Sequence, residues 1–277
     1  MKLPLIPLAK ALKIDRLIRQ NVYAYQFFGV YLSRLSFLLP HEPEFHAFRI
    51  LPSRHHLFLD IGANDGISAR SFRVFDKVTP ILSIEANPSH ESQLKLTKAK
   101  LNLFDYKLMA AGETPGRLVL HTPVFKGIAL TAYASIDRKE AESRVHFHMP
   151  NAIGRLTFME TEVPVVPIDN LSLTPDFVKI DVEGFEVQVL RGMFETIKSC
   201  SPTFLVEYHP GNTADIVETL KPFGYKPYLY DRYTDEFRFY AHDVPSAGNE
   251  AYAGDNIFYF PPSLQEVLPG LKSVAKN

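Results

Sequence analysis

One block constrains this chain more than any other: Leu57-Phe58-Leu59-Asp60-Ile61-Gly62-Ala63-Asn64-Asp65-Gly66. An apolar run ends on a carboxylate and a glycine, and the helix-like stretch from Ile67 to Phe75 follows at once. Such a run reads as a buried strand whose turn feeds a helix. Similar pairs follow. PILSIEAN is a second apolar run, set before the helix-like SHESQLKLTKAK. FDYKLMAAG is a third strand candidate. FVKIDVEG and TFLVEYHP are later ones, separated by the helix-like FEVQVLRGMFETIK. Strands that alternate with helices need crossover connections, which build a parallel sheet covered on both faces. After Pro210 the pattern predicts a helix over Thr213 to Leu220, then strands over Tyr225–Tyr230 and Asp255–Phe260 as a closing hairpin with one strand antiparallel.

The chain can hold such a sheet on its own. It has 277 residues, 46% hydrophobic and 22% charged, enough for a full core and incompatible with global disorder. Thirty Lys and Arg balance 31 Asp and Glu, so phosphate binding does not dominate and no nucleic-acid partner is expected. Cys200 is the single cysteine. It excludes an internal disulfide or a Cys-rich zinc site and points to a reducing, cytoplasmic compartment. Between Arg117 and Pro164 the alternation stops, and this stretch reads as an insertion that forms a lid near the site. The expected division is an N-terminal helical extension over 1–55, a main domain over 56–262 and a tail over 263–277. Leu8, Leu12, Ile14, Leu17 and Ile18 recur at helical spacing, with five basic and one acidic side chain from Lys2 to Arg19. An amphipathic helix packed on the domain is expected there, with a membrane-surface or dimerisation helix as the alternative. Charges interrupt any signal-peptide core, and the apolar stretch from Val22 to Leu32 is too short to span a bilayer.

Open parallel sheets bind ligands beyond the carboxyl ends of their strands, at the topological switch. Gly62 allows a tight turn there, and Gly66 opens the helix. Their G-x-x-x-G spacing is not the G-x-G-x-x-G of dinucleotide binders, which disfavours an NAD-dependent oxidoreductase. A carboxylate at Asp60 repels a pyrophosphate but suits an ammonium group, and Asp65 adds a second negative charge. The loop therefore reads as built for a cationic or zwitterionic cofactor. Glu85 ends the next strand of the same unit, where an acidic residue accepts hydrogen bonds from ribose hydroxyls. Ala86 and Asn87 follow it. Together Asp60, Gly62 and Glu85 fit S-adenosylmethionine, with its ammonium, sulfonium and ribose.

Three pieces carry a family resemblance: LFLDIGANDGISARSF, ILSIEANP, and VPIDNL followed by DFVKIDVEGFEVQVLRG and FLVEYHP. With them the chain resembles class I methyltransferases, and more narrowly the FkbM family. The block Lys179-Ile180-Asp181-Val182-Glu183-Gly184-Phe185-Glu186 is the most specific part. The resemblance covers about Leu57 to Tyr230. It implies a Rossmann-like α/β sheet, mostly parallel with an antiparallel last strand, with helices on both faces. It also implies S-adenosylmethionine-dependent O-methylation of a hydroxyl on a sugar, a glycan or glycolipid, or a secondary metabolite. Carried over by position, Asp60, Gly62, Asn64 and Gly66 would line the methionine and ribose side, with Asp65 beside them. Glu85 and Ala86 would meet the ribose, Asn87 the ribose or adenine, and Ala110 and Ala111 the adenine ring. A binding or scaffolding protein that keeps the cofactor fold without turnover is the alternative, and the intact Asp60, Gly62 and Glu85 set weighs against it.

Methyl transfer to an alcohol needs an oxygen in line with the sulfonium methyl and a base for its proton. Candidates at the ends of the fourth and fifth strands are Asp181, Glu183, Glu207 and His209. Period-2 alternation puts Lys179 and Asp181 on one strand face, and the neighbouring strand brings Glu207 or His209 close. His209 is the first choice for the base because imidazole titrates near neutrality, with a strand-end cap as the alternative. Asp181 and Glu183 would orient acceptor hydroxyls, although Glu183 could instead cap the helix from Phe185. Lys179, if buried, needs a carboxylate partner. No local motif compels a metal. Asp181, Glu207 and His209 are the ligands one would use.

Overall fold

The structure, a computed structural model, describes residues 37–208, 211–240 and 256–266. The basic amphipathic stretch near the N-terminus and His209 lie outside these residues. The strands in chain order are β1 (Phe58–Ile61), β2 (Ile81–Glu85), β3 (Phe104–Leu108), β4 (Ala110–Ala111), β5 (Gly116–Phe125) and β6 (Ile128–Ala129). They continue with β7 (Thr157–Val166), β8 (Phe177–Ile180), β9 (Thr203–Glu207), β10 (Lys226–Asp231), β11 (Glu236–Phe239) and β12 (Asn256–Phe260).

The main sheet has the order β11-β10-β12-β9-β8-β1-β2-β3. Its centre is parallel, from β3 through β2, β1 and β8 to β9. β12 runs antiparallel to both β9 and β10. The architecture is the expected mostly parallel α/β sheet with helices on both faces. One expectation needs correcting. The closing hairpin is β10 with β11, and β12 inserts between β9 and β10 rather than ending the sheet. Burial gives the reason. Every residue of β12 is buried, which suits an interior strand, whereas β11 keeps partly exposed residues and takes the edge.

Alternation along the strands divides the core between the two faces. Leu59, Ile61, Val178, Ile180, Phe204 and Val206 face one way, packed with residues of the helices Glu186–Arg191, Phe194–Cys200 and Thr213–Leu220. Phe58, Phe177, Leu205 and Phe258 face the other way, with Phe72 of the helix Ile67–Phe75. The stretch FEVQVLRGMFETIK is two helices rather than one. Its backbone passes Gly112 so closely that a Cβ on Gly192 would lie 2.0 Å from the Gly112 carbonyl oxygen. Asp169 then caps the restart, accepting from the backbone N–H groups of Glu195 and Thr196 at 3.0 and 2.8 Å.

Ahead of β1, the described part of the N-terminal segment packs on the domain. Pro43–Arg49 is a 3₁₀ helix whose Phe45 and Phe48 are buried in the second core. The Phe48 ring lies 5.6, 5.0 and 5.1 Å from those of Phe58, Phe72 and Phe177. The insertion is an ordered ribbon. β5 and β7 pair antiparallel over nearly their whole length, in a second sheet of order β4-β7-β5-β6. The helix Arg138–His148 sits between them in sequence, over a small core of Phe125, Leu130, Tyr133, Val145 and Met149. Among the described residues, no helix is long and apolar enough to cross a membrane.

Candidate functional site

A cavity of about 270 Å³ opens where β1, β2, β8 and β9 end, walled on its far side by the ribbon. It lies where the sheet order reverses, the usual ligand crevice of an open α/β sheet. Gly62, Asn64, Glu85, Ala86, Asn87, Ala110, Ala111, Asp181 and Glu183 all line it. The ribbon side contributes Leu118, Leu120, Ser135 and Ile136. None of the described residues that line it is Lys or Arg.

Gly62 lets the walls meet. Its φ is +85°, and a Cβ there would lie 1.7 Å from the Asp181 carbonyl oxygen. Any side chain would push the β1 loop off the end of β8. The turn also aims the Asn64 backbone N–H at Glu85 Oε2, 2.7 Å away. The Asn87 N–H reaches Glu85 Oε1 at the same distance. Two backbone donors therefore orient one carboxylate at the mouth of β2, while burial and the nearby Asp60 and Asp181 push its acid up to about 7. Beside it Asn87 is 3% exposed, and its buried Nδ2 has no partner among the described residues. A carboxylate and an unused amide donor side by side suit a vicinal diol or a heterocycle.

Three residues singled out from the sequence do not line the cavity. Gly66 starts the helix Ile67–Phe75 at φ +83°. Asp65 is engaged at 3.0 Å by Arg70, whose side chain is buried. Asp60 is fully buried beneath the floor, accepting a 2.8 Å hydrogen bond from Ser83 Oγ. Burial pushes its acid up to about 6, against the pull of Lys179. Strand alternation puts Asp60 on the same face as Phe58, the face on which Phe48 and Phe72 pack, and it is fully buried there.

The other end of the cavity is an acidic trio. Asp181, Glu183 and Glu207 place carboxylate oxygens within 4.8 Å of one another. Each is held differently. Lys179 is fully buried and donates to Asp181 Oδ2 at 2.7 Å, the partner its burial requires. Burial works against its charge, but Asp181, Glu42 and Asp60 outweigh that and hold the ammonium above the ordinary lysine range. Arg144, from the helix Arg138–His148, donates to Glu183 Oε1 at 2.6 Å. Burial raises the Glu183 acid, with Arg144 opposing. Glu183 does not cap the following helix. That helix starts without a side-chain cap, and Glu186 instead braces the preceding turn, accepting from the N–H groups of Val182 and Gly184. Burial and the charges of Asp181 and Glu183 push Glu207 up to about 9. Two cations thus face three carboxyl groups.

Sequence reading did not single out His90, Phe185 or Arg144. His90 is 6% exposed in the cavity wall, and burial lowers its pKa against the pull of Asp65. The Asn87-Pro88 turn was an available signal for it, since Asn87 Oδ1 caps the Ser89 N–H and begins the 3₁₀ turn that ends at His90. Arg144 had none, because its partner lies 39 residues away.

Residues 60–227 match the description "Methyltransferase FkbM domain". The chain belongs to the FkbM methyltransferase family. Among solved structures, an FkbM methyltransferase from Methylobacillus flagellatus KT is 17% identical, with a TM-score of 0.43 over 79% of this chain. The chain spans 50% of that protein's length. A precorrin-6y C5,15-methyltransferase from Geobacter metallireducens GS-15 is 12% identical, with a TM-score of 0.39 over 78% of this chain and 83% of its own. A predicted O-methyltransferase from Agrobacterium tumefaciens is 10% identical, with a TM-score of 0.39 over 84% of each chain. No curated protein matches the chain. The FkbM domain begins at Asp60, so the buried aromatic segment around Phe48 precedes it.

Proposed function

We propose that this FkbM domain is an S-adenosylmethionine-dependent O-methyltransferase acting on a hydroxyl of a sugar, a glycan or glycolipid, or a secondary metabolite. The observation that carries the reading is Glu85, its two oxygens oriented by backbone donors in the wall of a cavity whose other end is acidic. The residues present fit that cofactor. Glu85 accepts the ribose hydroxyls, the unpartnered Asn87 Nδ2 meets the ribose or adenine, and Ala110 and Ala111 leave room for the ring. S-adenosylmethionine, when bound, supplies an electrophilic methyl group on a positively charged sulfur. The acidic trio favours that positive charge.

The chain's part in the reaction is to place a hydroxyl and remove its proton. Asp181 and Glu183 accept hydrogen bonds from the acceptor and orient it. His209, two residues beyond Glu207 in sequence, would take the hydroxyl proton as the carbon–oxygen bond forms and the methyl's bond to the donor sulfur breaks, leaving a neutral thioether. The absence of Lys and Arg from the described lining favours a neutral polyol over a phosphorylated acceptor. We place the reaction in the cytoplasm, where a lone thiol needs no partner.

Calorimetry with S-adenosylmethionine, and with NAD for contrast, tests the reading. Binding of the former is expected. No heat at millimolar concentration ends the proposal. A labelled-methyl screen over sugars, glycolipids and hydroxylated metabolites then finds the acceptor. With that acceptor in hand, His209→Ala should lower turnover far more than cofactor affinity, and unchanged turnover removes the base assignment.

A further inference from the structure

A charged layer lies directly under the acidic end of the cavity, and part of it comes from outside the matched domain. Lys179 is its centre. The side chain is fully buried, and one of its three ammonium hydrogens goes to Asp181 Oδ2 at 2.7 Å. Asp60, its register partner on β1, lies on one side. Glu42 also lies within electrostatic reach of the same ammonium. Glu42 belongs to the segment before residue 60, where the family match begins.

Glu42 is not loosely placed. Its Oε2 accepts from Asn256 Nδ2 at 3.0 Å, and Asn256 is the register partner of Glu207 on the adjacent strand. Its Oε1 faces His41 Nε2 at 3.2 Å. His41 Nδ1 is in turn 2.7 Å from Ser71 Oγ. Directly after it, Phe45 and Phe48 anchor the segment in the core under β1 and β8. Backbone, hydrogen bonds and aromatic packing all hold this carboxylate beneath the site.

We infer that Glu42 is a positioning residue of the methyl-donor site, acting through Lys179. A buried ammonium with Asp181 as its main counter-charge would cancel much of the negative potential that Asp181 presents to the cavity. Glu42 balances Lys179 from below, so the carboxylate at the cavity floor remains electrically visible to a cation above it. Interactions of this kind persist over several ångströms in a protein interior, where screening is weak. The layer therefore favours a ligand with a positively charged sulfur over the same ligand with a neutral one. In a methyltransferase this separates the donor from its spent product. The inference rests on the cofactor reading above.

The test compares S-adenosylmethionine with S-adenosylhomocysteine, which lacks the sulfonium charge, by calorimetry on the full chain. Glu42→Gln keeps the size of the side chain and an acceptor for Asn256 but removes the charge. Affinity for the charged ligand should fall about tenfold, while affinity for the neutral one changes by less than about twofold. Glu42→Asp should restore most of the preference. Equal losses for both ligands would mean that Glu42 only supports the fold, and no change for either would mean that Lys179 does not transmit its charge. Both results overturn the inference. If Glu42→Gln does not fold, Asn256→Ser serves instead. It removes the hydrogen bond and leaves the charge, so the wild-type preference must survive, and its loss also overturns the inference. Failure of the wild-type protein to bind either ligand would refute the cofactor reading itself, a separate outcome.

Discussion

The two ends of the cavity are both acidic, yet they are built in opposite ways. At one end a single carboxylate, Glu85, is held by backbone N–H groups from Asn64 and Asn87, all within one strand–helix–strand unit. At the other, Asp181, Glu183 and Glu207 are held by side-chain cations, one buried in β8 and one carried in by the insertion. Backbone donors are set by a turn and cost no side-chain entropy to aim. Side-chain cations must be brought from elsewhere in the fold and desolvated. The first end is therefore a rigid receptor for part of a ligand that recurs unchanged. The second is adjustable by sequence changes far from the motif, which suits the end that meets the variable acceptor.

The largest expected effect breaks the trio. Lys179→Met leaves Asp181, Asp60 and Glu42 facing an apolar side chain. Loss of one partner from a buried pair costs about 3–5 kcal/mol, so the urea midpoint should drop sharply. A midpoint close to wild type would show that Lys179 is not the counter-charge of this layer.

An intermediate effect separates the two ends by pH. Glu85 has its acid raised from 4.5 to about 7, so the folded protein keeps that proton longer than the unfolded chain. Its contribution to folding stability is full below the unfolded value and is lost as pH rises through 7. Ligand binding runs the other way, because ribose hydroxyls need the ionised form. Affinity for S-adenosylmethionine should rise between about pH 6 and pH 8, with Glu85→Gln about tenfold weaker than wild type at the upper end and nearly equal at the lower. A variant that keeps the same rise places the titration elsewhere.

The smallest effect concerns the insertion. The Arg144–Glu183 pair is partly exposed, at 26% and 36%. Arg144→Gln should thus cost less than about 1 kcal/mol of stability. It should raise the Michaelis constant for the acceptor once that is known. An unchanged Michaelis constant would mean that Glu183 does not meet the acceptor.

Much of the first end is legible in the amino-acid sequence. Strand, glycine turn and helix are local features, and Gly62, Asn64, Glu85, Ala86 and Asn87 all reach the cavity wall. The Lys179–Asp181 contact is legible too, since strand alternation alone puts both side chains on one face. Asp60 shows where local reading stops. A carboxylate at a strand end reads as a ligand group, but the residues stacked over it decide whether it sees solvent, and Phe48 and Phe72 come from either side of it in sequence. The place of β12 escapes a local reading for the same reason, because a strand carries no mark of which neighbour it will choose.

The sequence by itself determined the parallel sheet, the glycine turn and the carboxylate at the end of β2, since periodicity and backbone stereochemistry act over a few residues. Only the tertiary structure decided that Arg144 clasps Glu183, that Glu42 comes within electrostatic reach of Lys179 and that Asp60 is buried. Charge interactions depend on distance in space and on burial, and neither is set by distance along the chain.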